Sequence, residues 1–149
     1  TYTGYSALCL AEGLKEDGLL YTVDINEEYE TMVNKYIQKA QLESKINNLI
    51  GNALEIVPTL NETWDLVFID ADKDNSLNYY NLVFDKVLKG GYIIADNVLW
   101  SGKVLEKNRA KLDKDTEAIM EFNDFVHQDI RVENVLLPIR NGLMVLRKK

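Results

Sequence analysis

The 149-residue sequence contains little cysteine and histidine and has no long apolar run. Its single cysteine, Cys9, excludes an internal disulfide and favours a reducing compartment such as the cytoplasm. No apolar run approaches the roughly 20 residues that a membrane-spanning helix needs, so we expect no membrane partner. His127 is the only histidine and lies far in sequence from the acidic motifs, which excludes a histidine-based catalytic triad.

Positive charge is also scarce, with 17 Lys and Arg against 24 Asp and Glu and a net charge of −7. This balance argues against a nucleic-acid backbone as the main partner. Hydrophobic residues make up 46% and charged residues 28%, which is ordinary for a globular protein. The length is sufficient for one domain with a real core, and the sequence contains no repeat, low-complexity tract or interdomain linker.

Strand-type runs alternate with amphipathic segments along most of the chain. The helical spacing of apolar residues predicts the helices. Their limits are indicated by Asn26 as an N-cap, Pro58 as a stop and Gly90-Gly91 as a break. The predicted helices are 5–14, 27–40, 53–57, 76–88 and a fifth that begins after Asp113 or Asp115. The predicted strands are 19–24, 45–51, 64–70 and 92–96, followed by an irregular loop at 97–112 and a closing antiparallel pair at 131–139 and 142–148. The alternation predicts an α/β fold, Rossmann-like and doubly wound, with a mostly parallel sheet.

Three of these strands end in an aspartate, namely Asp24, Asp70 and Asp96. The carboxyl ends of parallel strands lie at one edge of a sheet, and ligands of α/β proteins bind there. Asp24 stands between a strand and a helix, where a carboxylate can accept two hydrogen bonds from a ribose diol. It can equally serve as a helix cap, and the residues alone support both interpretations.

Asp70 and the pair Asp96-Asn97 end two successive strands. Because neighbouring strands lie about 4.8 Å apart, their terminal side chains can converge on one ion. Two carboxylates and an amide oxygen form an all-oxygen set, which suits magnesium or another hard cation rather than zinc. The alternative is that each acid caps the helix or loop that follows it.

Two further residues lie on the same predicted edge. Lys73 follows Asp70 by three positions, and the like charge of a nearby divalent cation would favour its neutral form, a possible general base. Its alternative is a surface ion pair with Asp72 or Asp74. Trp100 opens the long loop, where an aromatic side chain can stack on a flat substrate or pack on the core.

Several blocks in series resemble one family across the whole chain. They are TYTGYSAL (1–8), VDIN (23–26), GNAL (51–54), FIDADKDN (68–75), IIADNVLWSG (93–102) and LLPIRNGLMV (136–145). Together they resemble the cation-dependent class I S-adenosylmethionine O-methyltransferases, the group of caffeoyl-CoA and catechol O-methyltransferases. Two positions depart from the family pattern: Ser101 stands where plant relatives often carry Asn, and IRNG (139–142) replaces the more usual Asp-Gly ending.

The resemblance implies a role for each matching position. Cofactor contacts are implied for Thr1, Tyr2, Gly4, Ser6, Asp24, Ile25, Asn52, Ala53, Asp70 and Asp72. Metal ligation is implied for Asp70, Asp96 and Asn97, with Mg²⁺ as the ion and Mn²⁺ or Ca²⁺ as possible replacements. Lys73 is implied as the catalytic base, and substrate contacts are implied for Asp70, Trp100 and Ser101.

The implied activity is transfer of a methyl group from S-adenosylmethionine to a hydroxyl of a small vicinal-dihydroxy aromatic, such as a caffeoyl group, by a cytoplasmic homodimer. One alternative is methylation of a hydroxylated tRNA nucleoside, against which the acidic balance argues. Another is a non-catalytic fragment. A receiver-type phosphoacceptor domain is excluded, because it needs an acidic pair after the first strand and a lysine after a later one.

The family carries a glycine-bearing strand and helices that close the substrate pocket immediately before the block that begins here at Thr1. We therefore expect residues 1–149 to form a single methyltransferase domain without the family's first strand. On domain-size grounds we expect roughly 50–70 further residues before Thr1 in the natural protein. The 149 residues alone are then predicted to be poorly stable and to bind cofactor weakly.

Overall fold

The strands of the protein form two sheets. The computed structural model describes residues 1–149, apart from the side chain of Arg109. Its strands are β1 (Leu20–Asp24), β2 (Ile46–Ile50), β3 (Trp64–Ile69), β4 (Val87–Asp96), β5 (Val132–Leu137) and β6 (Leu143–Lys148). One sheet has the order β1-β2 and the other β3-β4-β6-β5. The pairs β1-β2 and β3-β4 are parallel and β6 is antiparallel to both of its neighbours, which confirms the predicted mixed α/β class.

Helices connect most of the strands. They are α1 (Tyr5–Glu12), α2 (Glu30–Lys39), α3 (Ala53–Thr59), α4 (Ser76–Phe84) and α5 (Lys114–Gln128). Of the two candidate caps of α5, Asp113 is the one used, since its Oδ1 accepts from the Thr116 amide at 2.8 Å. The loop at 97–112 is less irregular than predicted and contains short 3-10 stretches at Trp100–Leu105 and Arg109–Lys111.

Two compact units divide the chain, unit 1 (Thr1–Leu60) and unit 2 (Asn61–Lys149). Unit 1 contains the β1-β2 pair, whose register runs from Leu20 opposite Ile46 to Asp24 opposite Ile50. Its core is a small apolar cluster. The buried members of this cluster are Ala11, Val33, Ile37 and Ile46. Val33 and Ile37 stand four residues apart on α2, so they share one helix face, as the periodicity predicts.

Unit 2 contains the four-stranded sheet and the larger core. Tyr80 on α4 is fully buried, and its ring lies 5.4 Å from that of Phe84 and 6.2 Å from that of Phe122 on α5. Ile93 on β4 and Leu146 on β6 are buried to 1% exposure or less. Truncation of a buried aromatic side chain to alanine typically lowers the free energy of unfolding by about 3–5 kcal/mol. This core is therefore the main stabilising feature of unit 2.

Two element boundaries differ from the prediction for reasons of backbone chemistry. The helix α4 ends at Phe84, and β4 runs through Gly90 and Gly91 rather than beginning after them. A Cβ on Gly91 would lie 2.9 Å from the Asp65 carbonyl oxygen on β3, so glycine permits a close approach inside the strand. Pro58 lies inside α3 near its end, where a missing N–H removes only one bond of the last turn.

The apolar run of strand β3 is typical of a strand that is covered on both faces. Ile69 is buried, but Leu66 and Phe68 on the opposite face are 45% and 38% exposed. The alternation therefore distinguishes one buried and one open face in the described structure. In the part of the chain that the structure describes, no helix is both long and apolar enough to cross a membrane.

Candidate active site

Asp24 organises the polar end of unit 1. Its Oδ2 accepts from the Tyr2 amide at 2.7 Å, while Oδ1 accepts from the Asn26 amide at 2.9 Å. Burial alone would raise the pKa of Asp24, but the hydrogen bonds from the Asn26 and Tyr2 amides act against burial and lower that pKa. Asp24 is therefore held as a carboxylate.

The other residues of unit 1 that are implied in cofactor binding differ in their position and exposure. The Gly51 amide donates to the Asp24 carbonyl at 2.8 Å, which brings the end of β2 beside the end of β1. Asn52 caps α3, its Oδ1 accepting from the Leu54 amide at 3.0 Å, and Ala53 is the first residue of that helix. Ile25 is 75% exposed and available for contact.

The N-terminal loop of unit 1 is ordered by packing as well as by Asp24. Thr1 Oγ1 and Thr22 Oγ1 share a hydrogen bond of 2.6 Å, and the Tyr2 ring meets the Tyr29 ring edge-on at 5.2 Å. Gly4 is buried with a φ of 82°, a conformation that suits glycine, and a Cβ there would lie 3.2 Å from Val33. Ser6 lies exposed in the first turn of α1.

The acids of unit 2 meet as the parallel register requires. Ile69 on β3 is paired with Ala95 on β4, so Asp70 and Asp96 are the next residues at the same edge. Asn97 follows with a φ of 66°, and its amide donates to Asp96 Oδ1 at 2.6 Å. The structure therefore brings together the three predicted metal ligands at one strand edge.

These residues fit a hard cation by the chemistry of their donor set. Among the described residues, no group of three or more His, Cys, Asp or Glu side chains could hold a metal ion. The carboxylates of Asp70 and Asp96 would therefore need the Asn97 amide oxygen and water to complete the coordination shell of a cation. Mg²⁺ is usually bound in this way, through one or two carboxylates and several waters. None of the ion pairs among the described residues involves Asp96, which leaves that carboxylate available.

Lys73 points to Asp70 rather than to the acids that follow it. Its Nζ lies 3.4 Å from Asp70 Oδ1, and its side chain is only 11% exposed whereas that of Asp70 is 51% exposed. The surface pair with Asp72 or Asp74 that the sequence left open is not the pair observed, because Asp74 pairs with Lys114 instead. A partly buried amine beside a candidate metal ligand is well placed for proton transfer.

Asp72 has partners that sequence reasoning missed. Tyr79 is buried, and its hydroxyl donates to Asp72 Oδ1 at 2.6 Å. Asn75 Nδ2 donates to the other oxygen at 2.6 Å. Burial alone would raise the pKa of Asp72, but the hydrogen bonds from Tyr79 and Asn75 outweigh it and lower that pKa. The seven-residue spacing of Asp72 and Tyr79, about two helical turns, was the available signal.

Trp100 and Ser101 follow the candidate metal ligands in a segment of left-handed backbone, with φ values of 45° and 54°. Trp100 Nε1 is buried and has no hydrogen-bond partner among the described residues, and Lys103 Nζ lies 5.8 Å from its ring centroid. Ser101 Oγ donates to Asn141 Oδ1 at 3.1 Å. The asparagines at 123 and 141, which bond to this segment, were not singled out from the sequence.

Known proteins resemble this chain in sequence over nearly its full extent. A family model described as O-methyltransferase matches residues 1–149. Caffeoyl-CoA O-methyltransferase 2 of Populus trichocarpa is 36% identical over 157 residues, covering 99% of this chain and 64% of that protein. The enzyme of the same name from Eucalyptus globulus is 38% identical with the same coverage. The chain thus spans slightly less than two thirds of the length of these relatives.

Solved structures resemble it in fold. An O-methyltransferase from Bacillus cereus in complex with SAH has a TM-score of 0.90 and 27% identity, covering 100% of this chain and 71% of that one. An SAH-bound methyltransferase from Podospora anserina has a TM-score of 0.88 and 25% identity, covering 99% and 68%. The mixed α/β fold is thus that of the class I methyltransferases. Within that class, the chain belongs to the O-methyltransferase family that its residues 1–149 match.

Proposed function

We propose that the protein transfers a methyl group from S-adenosylmethionine to one hydroxyl of a vicinal-dihydroxy aromatic, with Mg²⁺ or a similar divalent cation. The observation that carries the proposal is the register of Ile69 with Ala95, since it sets Asp70 beside Asp96 and Asn97 at one strand edge. The relatives named caffeoyl-CoA O-methyltransferases support the substrate class, and the SAH-bound structures support the cofactor.

The cofactor would be bound by unit 1 through Asp24 and its surroundings. A carboxylate has about four acceptor positions, so Asp24 retains capacity for ribose hydroxyls beside its bonds to Tyr2 and Asn26. Those backbone bonds fix the carboxylate before a ligand arrives, which reduces the ordering cost of binding. The exposed Ile25 side chain offers an apolar surface for the adenine. Further contacts are proposed for Thr1, Gly4, Ser6, Asn52, Ala53, Asp70 and Asp72.

The cation would be held by the oxygens of Asp70, Asp96 and Asn97. When bound, it supplies stabilisation of the negative charge on a substrate hydroxyl that loses its proton. Lys73 Nζ, 3.4 Å from Asp70 Oδ1, is positioned to take that proton. Trp100 and Ser101 would border the aromatic ring of the substrate.

Methyl transfer then needs no further group from the protein. When bound, S-adenosylmethionine would supply its methyl group to the deprotonated oxygen, and the electron pair of the broken carbon–sulfur bond would remain on sulfur to give SAH. The proton stays on Lys73 Nζ until solvent removes it. Orientation of the two reactants supplies much of the acceleration in such a reaction.

A labelled-methyl assay tests this proposal. The complete protein is incubated with methyl-labelled S-adenosylmethionine and a panel of acceptors, with Mg²⁺ or with excess chelator. We expect label in catechol-type acceptors, such as caffeoyl thioesters, and none in their singly hydroxylated analogues or in chelator. Transfer to tRNA alone, or undiminished transfer in chelator, would refute the proposal.

We also propose that the protein is a cytoplasmic homodimer, as the family resemblance and the single exposed cysteine suggest. Exposed apolar side chains on the edge strand β5, among them Val135 and Leu136, are consistent with a protein partner. Light scattering during size-exclusion chromatography should give twice the monomer mass. A monomer mass across the micromolar range would contradict this.

A further inference from the structure

The segment that follows the candidate metal ligands has an unusual backbone. Asn97, Trp100 and Ser101 have φ values of 66°, 45° and 54°, in the left-handed region that residues other than glycine rarely occupy. Such conformations persist only where the surrounding contacts over-determine them. The segment 97–101 therefore needs support from elsewhere in unit 2.

Two other parts of unit 2 supply that support through the peptides of Val98 and Leu99. The Val98 amide donates to the Gly142 carbonyl at 3.2 Å, and the Leu99 amide donates to the Asn141 carbonyl at 2.8 Å. On the other side, Asn123 Nδ2 on α5 donates to the Val98 carbonyl at 2.8 Å. Val98 itself is 2% exposed. The N–H and the C=O of Val98, which belong to two successive peptide groups, are thus both fixed by distant residues.

The turn at 139–142, which departs from the family pattern in sequence, is shaped to hold this segment. Gly142 has a φ of 83°, and a Cβ there would lie 2.6 Å from Leu99 Cγ and 3.1 Å from the Leu99 nitrogen. Asn141 Oδ1 accepts from Ser101 Oγ at 3.1 Å. An amide at position 141 retains the acceptor oxygen that an aspartate would offer. The turn therefore contacts the segment by backbone, side chain and close packing.

Asn123 is not explained by stability alone. Its Oδ1 is buried and has no hydrogen-bond partner among the described residues, so the side chain makes one hydrogen bond and leaves one acceptor unsatisfied. A buried unsatisfied acceptor is unfavourable, and an apolar residue of similar size would avoid it. The one hydrogen bond that Asn123 makes is to the Val98 carbonyl, which lies in the second peptide group after Asn97.

We propose that Asn123 is a positioning residue for the metal-ligand pair Asp96-Asn97, with the turn at 139–142 as the second support. The inference rests on the proposed function. Asn123 acts through the carbonyl of Val98, the residue that follows Asn97, while the Gly142 carbonyl holds the Val98 amide. Together these bonds restrict the backbone next to Asn97 and so the direction of the Asn97 side chain. Residues that orient metal ligands without touching the metal influence the geometry of those ligands and the metal affinity of the site.

The test uses two asparagines that make the same type of bond. Asn134 on β5 donates from Nδ2 to the Val126 carbonyl at 3.1 Å, so Asn134→Ala is a matched control for Asn123→Ala. Mn²⁺ affinity is measured by electron paramagnetic resonance, and amide hydrogen exchange reports on Val98 and Leu99. We expect N123A to weaken Mn²⁺ binding about 10–100-fold and to speed exchange at both amides. N134A should keep wild-type values for both, whatever its melting temperature.

The outcomes separate this inference from the proposed function. A folded N123A protein with wild-type Mn²⁺ affinity overturns the positioning role and leaves the proposed activity standing. A wild-type protein that binds no Mn²⁺ refutes the metal-dependent function, and the positioning role with it. If N123A does not fold, Asn123→Leu preserves side-chain volume and has the same expected result, and equal loss of affinity in N134A would also overturn the proposal.

Discussion

Asp24 in unit 1 and Asp70 in unit 2 are alike in sequence and unlike in surroundings. Each follows a parallel strand at its carboxyl end. The Asp24 side chain is 17% exposed and binds the amides of Tyr2 and Asn26, whereas that of Asp70 is 51% exposed and has one long contact with Lys73. The Asp24 carboxylate is thus held by backbone amides, while the Asp70 carboxylate remains accessible to an external cation.

The difference shows that one sequence signal can have two structural outcomes. At the end of β1 the chain turns so that the amides of Tyr2 and Asn26 point at the Asp24 carboxylate, while Asn26 caps the helical turn that follows. At the end of β3 the neighbouring side chain is that of Lys73. The structural role of Asp24 is therefore that of an acceptor for backbone amides rather than of a helix cap, and this role is compatible with its being a candidate ligand.

The largest expected effect is a loss of activity that distinguishes metal binding from cofactor binding. Asp96→Ala removes a carboxylate from the strand edge, and several kcal/mol of charge stabilisation correspond to a loss of about 1,000-fold or more in methyl transfer. S-adenosylmethionine affinity, measured by calorimetry, should not change. Asp65→Asn, an exposed acid on β3, is the control and should keep full activity. Full activity of D96A would remove Asp96 from the metal site.

The next effect concerns the buried amine. Lys73→Met should lower kcat about 100–1,000-fold, within the range for loss of a general base, and Mn²⁺ affinity should be retained because no ligand is removed. Lys114→Met removes a comparable lysine–aspartate pair, with Asp74, and is the control. Single-turnover kinetics provides the measurement. Equal kcat values for the two variants would assign Lys73 a structural role only.

A smaller effect is expected in unit 1. Asp24→Ala removes a charged acceptor of hydrogen bonds and should weaken S-adenosylmethionine binding by about 1.5–3 kcal/mol. Mn²⁺ affinity should remain that of the wild type, which is the reverse of the pattern for D96A. Asp17→Ala, an exposed acid of the same unit, serves as the control in calorimetry. Unchanged cofactor affinity would show that Asp24 has a structural role only.

The smallest effect concerns a carboxylate that serves folding only. Arg131 hydrogen-bonds to Asp129, and with the Tyr80 hydroxyl it outweighs burial and lowers the pKa of Asp129 well below its usual value. Because the folded pKa is the lower one, this stabilisation is fully present above about pH 4, near the unfolded pKa, and is lost as pH falls through the folded pKa. Asp129→Asn should therefore lower stability by about 1–3 kcal/mol at pH 7.

Urea unfolding from pH 2 to pH 7 checks this expectation. The stability difference between D129N and the wild type should shrink below about pH 4. Cofactor and metal affinities should both be unchanged, in contrast to D24A and D96A. A difference that grows on acidification would contradict the sign of the linkage.

Much of the fold was predictable because its causes are local. The helical spacing of Val33 and Ile37 defines a helix face, and the apolar run of β3 defines a strand, independently of distant residues. The boundary errors arose where tertiary contact prevailed, as at Gly91, whose approach to the Asp65 carbonyl belongs to sheet packing. Local glycine signals could not distinguish a helix break from a site of close strand approach.

By itself the sequence determined the α/β class, the strand-end acids, the candidate ligands Asp70, Asp96 and Asn97, and the family, because strand periodicity and motif order are written along the chain. Only the tertiary structure decided which partners those side chains have. Asp72 meets Tyr79, Lys73 meets Asp70, and Asn123 bonds to a carbonyl 25 residues away. Such contacts depend on how strands, helices and turns pack together, and no periodicity in the sequence specifies them.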